Sequence, residues 1–355
     1  METVLMKGNE ALAEAAIRAG LKVYFGYPIT PQNEVGEYLA KNLPKAGGTF
    51  LQAESEVAAI NMVYGAAGAG VRTMTSSSGP GISLMQEGIS YIAGAELPVV
   101  LVNMMRGGPG LGGIQPSQSD YFQATKGGGH GDYRLIVLAP SSVQELYDYT
   151  MLAFDLADHY RNPVMVLGDG LLGQMMESLT LKPYTPAFPL EEKTWATRGR
   201  KNRAPNIINS LYLDPEKLFS HNTKLFKKYQ EIAEKELRVE VINEKAEFFF
   251  VAYGSSARIC LKVIELLKEK GIKAGLIRPI TLWPFPYTVI AEKVNQSKGF
   301  MVVEMSMGQM VEDVERAVKS QKPVYFYGTA GGIVPSPQKI YERTLEILEG
   351  GRNNG

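Results

Sequence analysis

The sequence predicts an α/β protein in which a doubly wound parallel sheet is followed by a second, smaller α/β domain. Over roughly the first 180 residues, short apolar segments alternate with helical patterns, which is the signature of βαβ units. Right-handed crossovers then make the sheet doubly wound. The alternation stops in a Pro-rich and then charged stretch and resumes near residue 248. We therefore predict domains at 1–182 and 246–355, joined by a linker at 183–245.

Short apolar runs bounded by turn residues predict the strands of the first domain. These are Lys22–Phe25, Gly48–Leu51, Val71–Thr75, Pro98–Asn103, Leu135–Leu138 and Pro163–Leu167. Helical periodicity between them predicts helices such as Glu56–Gly68 and Ser142–Ala157. Within the linker, the pattern predicts one charged helix near Asp214–Leu237.

The second domain repeats this alternation on a smaller scale. Its predicted strands are Phe248–Tyr253, Lys273–Ile277, Phe300–Val303 and Val324–Phe326, and its predicted helices are Ser256–Glu269, Gly308–Lys319 and Gln338–Leu348. Strands that alternate with helices again indicate a parallel sheet.

Composition excludes several classes of protein. Lys plus Arg equals Asp plus Glu at 37 each, so no overall field attracts nucleic acid or an anionic membrane. The sequence has neither the basic start and apolar stretch of a signal peptide nor a run of about 20 apolar residues, so we expect a cytoplasmic protein. The single cysteine, Cys260, excludes an internal disulfide and cannot by itself hold an iron–sulfur cluster.

The turn after the first predicted strand contains Pro28-Ile29-Thr30-Pro31. The two prolines fix φ on both sides of Ile29 and Thr30, so the turn is stiff and can present the Thr30 hydroxyl in one direction. An ordinary strand-to-helix turn, with Thr30 as the N-cap and Pro31 at the first helical position, explains the same residues.

Two acids, Glu54 and Glu56, follow the next predicted strand and open an Ala-rich helix. A helix N-terminus stabilises an anion at either position. The residues after Glu56 are nearly all apolar, so we expect its carboxyl group to be poorly solvated and its pKa to be raised by burial. Glu56 is therefore the candidate functional acid, and Glu54 is its solvated counterpart.

Two glycine-rich stretches, Ser76–Gly81 and Gly107–Gly113, are able to bind anionic groups through backbone N–H donors. Neither fits the dinucleotide fingerprint, and no Gly-Lys-Ser/Thr phosphate loop occurs. Arg106 ends an apolar strand and enters the second stretch, where a bidentate guanidinium suits a substrate carboxylate. A surface salt bridge is the alternative role for Arg106.

Two further polar residues follow strands or loops without a clear functional pattern. His130 lies in the glycine run 127–131, where most histidines are simply exposed. Asp169 in Gly168-Asp169-Gly170 resembles the start of the magnesium and diphosphate motif of thiamine diphosphate enzymes, but the paired Asn that should end this motif is missing. We predict that Asp169 is a structural turn residue, and we assign no metal ligand to this chain.

Several motifs in order resemble the α subunit of 2-oxoacid:ferredoxin oxidoreductases. They are Pro28–Pro31, the Glu-x-Glu at 54–56, Ile92–Pro98, Arg106–Pro109 and Arg278–Pro286. The resemblance runs from about Lys7 to Leu348. The Arg106–Gly112 loop, together with Gln118–Ala124 and Lys126–Asp132, looks most like the branched-chain, 2-oxoisovalerate type, and the 2-oxoglutarate type is next.

The resemblance implies a fold, a cofactor and roles for the candidate residues. The first domain would bind the pyrimidine half of thiamine diphosphate, and the second would resemble the C-terminal domain of transketolase. Glu56 would hydrogen-bond N1′ of the aminopyrimidine, while Thr30 and Arg106 match positions that hold the substrate carboxylate. Pro28, Ile29, Ser77 and Ser78 would line the cofactor. The activity implied is oxidative decarboxylation of a 2-oxoacid with CoA to acyl-CoA, CO₂ and reduced ferredoxin.

The resemblance also implies partners. A β subunit would carry the diphosphate and Mg²⁺ half of the cofactor site, and a ferredoxin-like subunit would carry [4Fe-4S] clusters, with a γ subunit and external ferredoxin as further partners. The chain alone would be inactive. Contacts of Gln115, Gln118 or His130 with substrate or CoA stay open.

Three alternatives remain at this point. The substrate can be 2-oxoglutarate or pyruvate rather than a branched-chain acid. The chain can be the equivalent component of a lipoamide-linked 2-oxoacid dehydrogenase, which an iron–sulfur subunit that co-purifies would exclude. It can also be a non-catalytic nucleotide- or CoA-binding protein, which would bind adenine nucleotides by itself.

Overall fold

The protein contains two main β-sheets and a small third one. A computed structural model describes residues 2–350, over which the chain forms fourteen strands. They are β1 (Glu2–Lys7), β2 (Val23–Gly26), β3 (Thr49–Gln52), β4 (Thr73–Ser77), β5 (Val100–Met105), β6 (Ile136–Leu138), β7 (Val164–Asp169), β8 (Met176–Leu181), β9 (Val239–Ile242), β10 (Phe248–Val251), β11 (Ala274–Pro279), β12 (Thr281–Trp283), β13 (Phe300–Glu304) and β14 (Val324–Gly328).

The helices of the described residues lie mostly between consecutive strands. They are α1 (Gly8–Arg18), α2 (Asn33–Asn42), α3 (Glu56–Gly68), α4 (Pro80–Gly94), α5 (Tyr121–Lys126), α6 (Val143–Tyr160), α7 (Gly170–Gln174), α8 (Pro215–Lys235), α9 (Gly254–Glu269), α10 (Tyr287–Lys293), α11 (Met310–Val318) and α12 (Pro337–Gly350), with a 3₁₀ turn at Pro44–Ala46. None of these helices combines the length and hydrophobicity needed to cross a bilayer.

The larger sheet has seven strands in the order β12-β6-β7-β5-β4-β2-β3, and all neighbours are parallel except β12 and β6. Every residue of β4 and β5 is buried, as expected for central strands covered by helices on both faces. From β2 the chain runs outward to β3 and then returns to β4 on the other side of β2. The crevice that ligands use in such sheets therefore lies at the carboxyl ends of β2 and β4.

The second sheet has five strands in the order β14-β13-β10-β11-β9, parallel except for the edge strand β9. The predicted doubly wound sheet and smaller α/β domain are both present. The domain boundaries at residues 182 and 245 stay a prediction. Two strands form pairs across these predicted boundaries. Val239–Ile242, inside the predicted linker, pairs with β11, whereas Thr281–Trp283 from the second domain pairs with β6 of the first.

The charged helix predicted in the linker forms α8. Its buried residues, Leu225, Tyr229 and Ile232, recur at helical spacing and belong to the main core. Lys224 and Lys228 on the same helix pair with Glu96, beyond the end of α4. The helix is thus packed against the first domain along its apolar stripe.

The segment 117–126 joins the two domains through side chains. Gln118 is fully buried; its amide donates to the Tyr253 carbonyl at 2.9 Å, and its oxygen accepts from Ser256 at 2.7 Å and from the Met305 N–H at 3.1 Å. Nearby, Tyr121 donates to the buried Asp313 at 2.7 Å. The second domain therefore fixes the segment that follows the Arg106 loop.

Candidate active site

Glu56 is the first residue of α3, directly after the turn that follows β3. Ser55 caps the helix by accepting a hydrogen bond from the Ala58 N–H at 3.1 Å, which fixes the direction in which the helix starts. Glu56 is 6% exposed, whereas Glu54 is an exposed residue. The predicted contrast between a buried and a solvated acid is confirmed.

The first turn of α4 leaves room for the Glu56 carboxylate because residue 81 is glycine. A Cβ atom at Gly81 would lie 2.5 Å from Oε1 of Glu56 and 2.1 Å from Oγ of Ser77, closer than Cβ atoms are found to other atoms. Glu56 and Ser77 therefore both border the space in front of Gly81. Only glycine fits there without moving one of the two side chains.

Ser77 and Ser78, at the end of β4, have buried hydroxyl groups without a hydrogen-bond partner anywhere in residues 2–350. The neighbouring Ser76 is satisfied instead, since it lies 2.7 Å from the Tyr24 hydroxyl and donates to Gln32. Two threonines earlier in β4 also have unpaired buried hydroxyl groups, but only the two serines lie at the carboxyl end of the strand, where open α/β sheets bind ligands.

Arg106 lies one residue beyond β5 and is 8% exposed. Its Nη1 donates to the Thr30 carbonyl at 3.1 Å and its Nη2 to the Leu111 carbonyl at 3.0 Å. Its Nε is buried without a partner, and no carboxylate among the described residues lies within ion-pair distance of the guanidinium. The surface salt bridge is thus wrong as a role for Arg106, whose side chain is buried and held by carbonyl groups.

The N-terminus of α4 connects Arg106 with Glu56. A Cβ atom at Gly79 would lie 3.5 Å from Cγ of Arg106, and two residues later Gly81 borders Glu56. Gly79 has φ +42° and precedes Pro80, the first residue of α4, so this close approach also requires a backbone conformation that favours glycine. The two predicted functional residues are therefore brought to the same helix end.

The turn containing Thr30 has a different role from the predicted cap. Helix α2 begins at Asn33 with Gln32 as its N-cap, so Thr30 as N-cap and Pro31 as the first helical residue are wrong. The Gln32 N–H donates to the Ile29 carbonyl at 3.1 Å, which closes a separate turn before the helix. This turn directs the Thr30 carbonyl to Arg106, while Pro28 is exposed and Ile29 half-buried.

Four polar residues that the sequence analysis did not assign to the active site lie in different environments. All hydrogen-bonding atoms of the Gln118 side chain except one N–H are used by the second domain, so Gln118 is structural. Gln115 and His130 are exposed. Asp169 accepts hydrogen bonds from the N–H groups of Leu171 and Leu172 and caps α7, which confirms the predicted turn role, and burial raises its pKa.

Sequence reasoning missed the contributions of Gly79, Gly81 and Asp120. The pattern Ser-Gly-Pro-Gly marks the two glycines, but only the approach of α4 to α3 gives Gly81 its role. Asp120 accepts a hydrogen bond from Asn103 at 3.0 Å. Burial raises the pKa of Asp120, although Asn103 and the charge of Arg106 act in the opposite direction. Within residues 2–350, no three His, Cys, Asp or Glu side chains are grouped so that they could hold a metal ion.

Two family models match the chain. The model "Pyruvate flavodoxin/ferredoxin oxidoreductase, thiamine diP-bdg" matches residues 14–244, and "Pyruvate:ferredoxin oxidoreductase core domain II" matches residues 246–340. The first contains Glu56, Ser77 and Arg106, and the second covers most of the smaller sheet.

Relatives in methanogens match the chain over nearly its full length. It is 52% identical to the ketoisovalerate oxidoreductase subunit VorB of Methanothermobacter marburgensis and 49% identical to that of Methanothermobacter thermautotrophicus, each over 98% of both chains. It is 37% identical to the 2-oxoglutarate synthase subunit KorA of Methanothermobacter thermautotrophicus, over 98% of this chain and 99% of the relative.

Solved structures share the fold. A 2-oxoglutarate:ferredoxin oxidoreductase from Magnetococcus marinus, with 2-oxoglutarate, coenzyme A and succinyl-CoA bound, has a TM-score of 0.85 and 29% identity over 97% of this chain, which spans 65% of that chain. An inactive beta4 tetramer of a split-gene transketolase has a TM-score of 0.58 at 15% identity, over 95% of this chain and 93% of that one, a likeness of fold alone. The predicted combination of a thiamine-binding first domain with a transketolase-like architecture is confirmed.

Proposed function

Because the chain belongs to the 2-oxoacid:ferredoxin oxidoreductase family, we propose that it is the α subunit of an enzyme that converts a branched-chain 2-oxoacid and CoA to acyl-CoA, CO₂ and reduced ferredoxin. The identity of 49–52% with ketoisovalerate oxidoreductase subunits, against 37% with a 2-oxoglutarate synthase subunit, supports 2-oxoisovalerate as the substrate. The glycine loop next to Arg106 gives independent support. Residues 107–118 contain no charged side chain that would bind a second carboxylate, and they expose Leu111 and Ile114.

The observation that carries this proposal is the meeting of the buried Glu56 carboxylate and the unpaired Ser77 hydroxyl beside Gly81, at the N-terminus of α4. A buried carboxyl group at the carboxyl edge of the sheet is the group needed to hydrogen-bond a ring nitrogen of the aminopyrimidine of thiamine diphosphate. When it is bound, thiamine diphosphate supplies the electron sink for decarboxylation. Glu56 holds and exchanges a proton with ring nitrogen N1′, which requires a carboxyl group shielded from water.

Arg106 binds the carboxylate of the 2-oxoacid. Its guanidinium is fixed by two backbone carbonyls and retains unused donors, so little side-chain entropy is lost when a carboxylate binds. Thr30 provides one of these carbonyls and lies beside the substrate carboxylate. Pro28, Ile29 and Ser78 line the cofactor on the neighbouring edge of the crevice.

The other half of the site belongs to a partner. We assign the diphosphate group and Mg²⁺ to a β subunit and the [4Fe-4S] clusters to a ferredoxin-like subunit, with a γ subunit and external ferredoxin as further partners. The names of the relatives as subunits support an assembly, and CoA as co-substrate is supported by the Magnetococcus marinus structure. We place the assembly in the cytoplasm.

The test is an anaerobic assay of this chain co-expressed with its genomic neighbours. Viologen reduction is followed with thiamine diphosphate, CoA and either 2-oxoisovalerate, 2-oxoglutarate or pyruvate. We expect 2-oxoisovalerate to give the highest kcat/KM and the chain alone to give no activity. Glu56→Gln should reduce kcat by at least about 100-fold, while the matched change of the exposed neighbour, Glu54→Gln, should leave it unchanged.

The same assay identifies the alternatives. Highest activity with 2-oxoglutarate or pyruvate would contradict the branched-chain substrate. A complex that binds thiamine diphosphate but reduces viologen with none of the three acids would contradict the whole proposal and favour the lipoamide-linked class.

A further inference from the structure

Ser77 has a buried hydroxyl group without a hydrogen-bond partner in residues 2–350, and no role has yet been given to its proton. We propose that Ser77 is a positioning residue that donates a hydrogen bond to the Glu56 carboxylate when the cofactor is bound, and that Gly81 keeps the space for this contact open. The inference rests on the proposed function and extends it from Glu56 to the residues that orient Glu56.

The geometry around Gly81 brings the two side chains together. Oγ of Ser77 lies 2.1 Å, and Oε1 of Glu56 2.5 Å, from the position that a Cβ atom at Gly81 would occupy. Both oxygen atoms thus face the same small space from different elements, Ser77 from the end of β4 and Glu56 from the start of α3. No hydrogen bond joins them, and Ser77 Oγ has no other partner within the described part of the chain.

The strand fixes the direction of the Ser77 side chain. Successive residues of β4 point to opposite faces of the sheet, and Ser76 points to the face where Tyr24 and Gln32 satisfy it. Ser77 therefore cannot use these partners. The Glu56 carboxylate is an acceptor that borders the same position beside Gly81, from the start of α3.

The orphaned hydroxyl makes the site less stable than an apolar residue would. A buried donor without a partner destabilises the folded state, whereas alanine at the same place would not. Residues that lower stability and persist at a site generally serve function. The arrangement is explained if the hydrogen bond forms with the cofactor-bound conformation of Glu56.

This role has a specific consequence that space filling does not have. If Ser77 acts through the Glu56 carboxylate, removal of its hydroxyl should affect cofactor affinity only while that carboxylate is present, so the effects of the two substitutions should not add. A residue that only fills space would change the affinity to the same extent in either background.

The experiment uses the assembled enzyme, freed of cofactor, and measures thiamine diphosphate affinity by calorimetry. Ser77→Ala should weaken binding about 3- to 10-fold, and Ser77→Thr, which keeps the hydroxyl, should restore it. In a Glu56→Gln background, Ser77→Ala should have no further effect, since the two residues act as a unit. The thermal midpoint of the chain should not fall in Ser77→Ala.

Gly81→Ala provides a second, steric test. We expect at least about a 100-fold loss of affinity, because the added methyl group lies within 2.5 Å of Glu56 Oε1. The matched control is Gly65→Ala in α3, where an added Cβ meets nothing within 4 Å. This control should bind thiamine diphosphate as the wild type does.

The outcomes separate this inference from the proposed function. Equal effects of Ser77→Ala in the wild-type and Glu56→Gln backgrounds would overturn the role of Ser77 while Glu56 keeps its own. Unchanged affinity in Gly81→Ala would overturn the steric role of residue 81. If Glu56→Gln alone changes neither affinity nor turnover, the proposed function fails as well.

Discussion

Nη1 of Arg106 donates a hydrogen bond of 3.1 Å to the carbonyl oxygen of Thr30, and this contact joins the turn after β2 to the loop after β5. A second carbonyl, that of Leu111, accepts from Nη2 at 3.0 Å. The guanidinium is therefore held in place by neutral groups from two loops. We propose that its remaining N–H donors bind the carboxylate of the 2-oxoacid.

Replacing Arg106 should affect substrate binding more than chemistry. Lysine keeps the charge but cannot bind both carbonyls and a carboxylate in one plane, so Arg106→Lys should raise the KM for the 2-oxoacid about 10- to 100-fold. The control is Arg134→Lys, because Arg134 also donates to backbone carbonyls but lies away from the Glu56 site. Steady-state kinetics of the assembled enzyme provide the measurement, and an unchanged KM in Arg106→Lys would remove Arg106 from the substrate site.

The loop next to Arg106 should decide between apolar and acidic substrates. Leu111 is 80% exposed and its carbonyl accepts a hydrogen bond from the Arg106 guanidinium, which places Leu111 next to the proposed substrate carboxylate site. Leu111→Arg should raise the ratio of kcat/KM for 2-oxoglutarate to that for 2-oxoisovalerate at least about 10-fold, since one good carboxylate contact is worth more than a methylene group.

A distant exposed leucine controls for the added charge in this comparison. Leu190 is 61% exposed in the linker, and Leu190→Arg should leave the ratio unchanged. If Leu111→Arg lowers both kcat/KM values equally, the loop serves assembly or folding and does not select the substrate.

The interdomain contact of Gln118 predicts a large loss of stability on truncation. Gln118→Ala removes the acceptor of the Met305 N–H and of the Ser256 hydroxyl inside the protein and opens a cavity, while the Tyr253 carbonyl keeps its hydrogen bond from the Ala257 N–H. We expect the free energy of unfolding to fall by about 2–4 kcal/mol. Urea denaturation followed by circular dichroism measures it, with Gln230→Ala on the exposed face of α8 as the control.

A loss below about 0.5 kcal/mol for Gln118→Ala would contradict this account of the interface. A separate outcome concerns cooperativity. If the two domains depend on this contact, the wild type should unfold in one transition and the variant in two.

Much of the local structure follows from periodicity alone, because the helix predicted over 56–68 forms over those residues. Periodicity did not predict those strands whose pairing partners lie far away in the sequence. Strand β1 pairs with β8, and the three-residue strand β12 crosses to β6 of the other domain. Neither segment carries enough local signal to predict a strand, since the partner supplies the hydrogen bonds.

In the candidate site, too, some features follow from neighbouring residues in the sequence, and others depend on how distant elements pack. The burial of Glu56 followed from the apolar residues after it, and the exposure of Glu54 from its place before the cap. The role of Gly81 depends on how closely α4 approaches α3, which no local pattern reports. Thr30 was misjudged as a cap because the turn closed by Gln32 and Ile29 delays the start of α2.

Because of its lowered pKa, Lys228 on α8 should make the free energy of unfolding depend on pH in the alkaline range. Burial lowers the pKa of its ammonium group to about 8, although Glu96 acts in the opposite direction. In the unfolded chain the pKa of lysine is about 10.4. Between these values the unfolded chain binds the proton and the folded chain does not, so this group makes stability rise with pH across that window.

Lys228→Met removes the titrating group, so the difference between the two proteins should depend on pH. From pH 7.5 to 10 the wild type should gain up to about 3 kcal/mol of stability relative to Lys228→Met, measured from urea midpoints at each pH. The adjacent exposed lysine supplies the control, and Lys227→Met should follow the wild type at every pH. A constant difference between wild type and Lys228→Met would mean that the ammonium group stays charged throughout this range, held by Glu96 at 3.4 Å and by the Arg161 carbonyl at 3.1 Å.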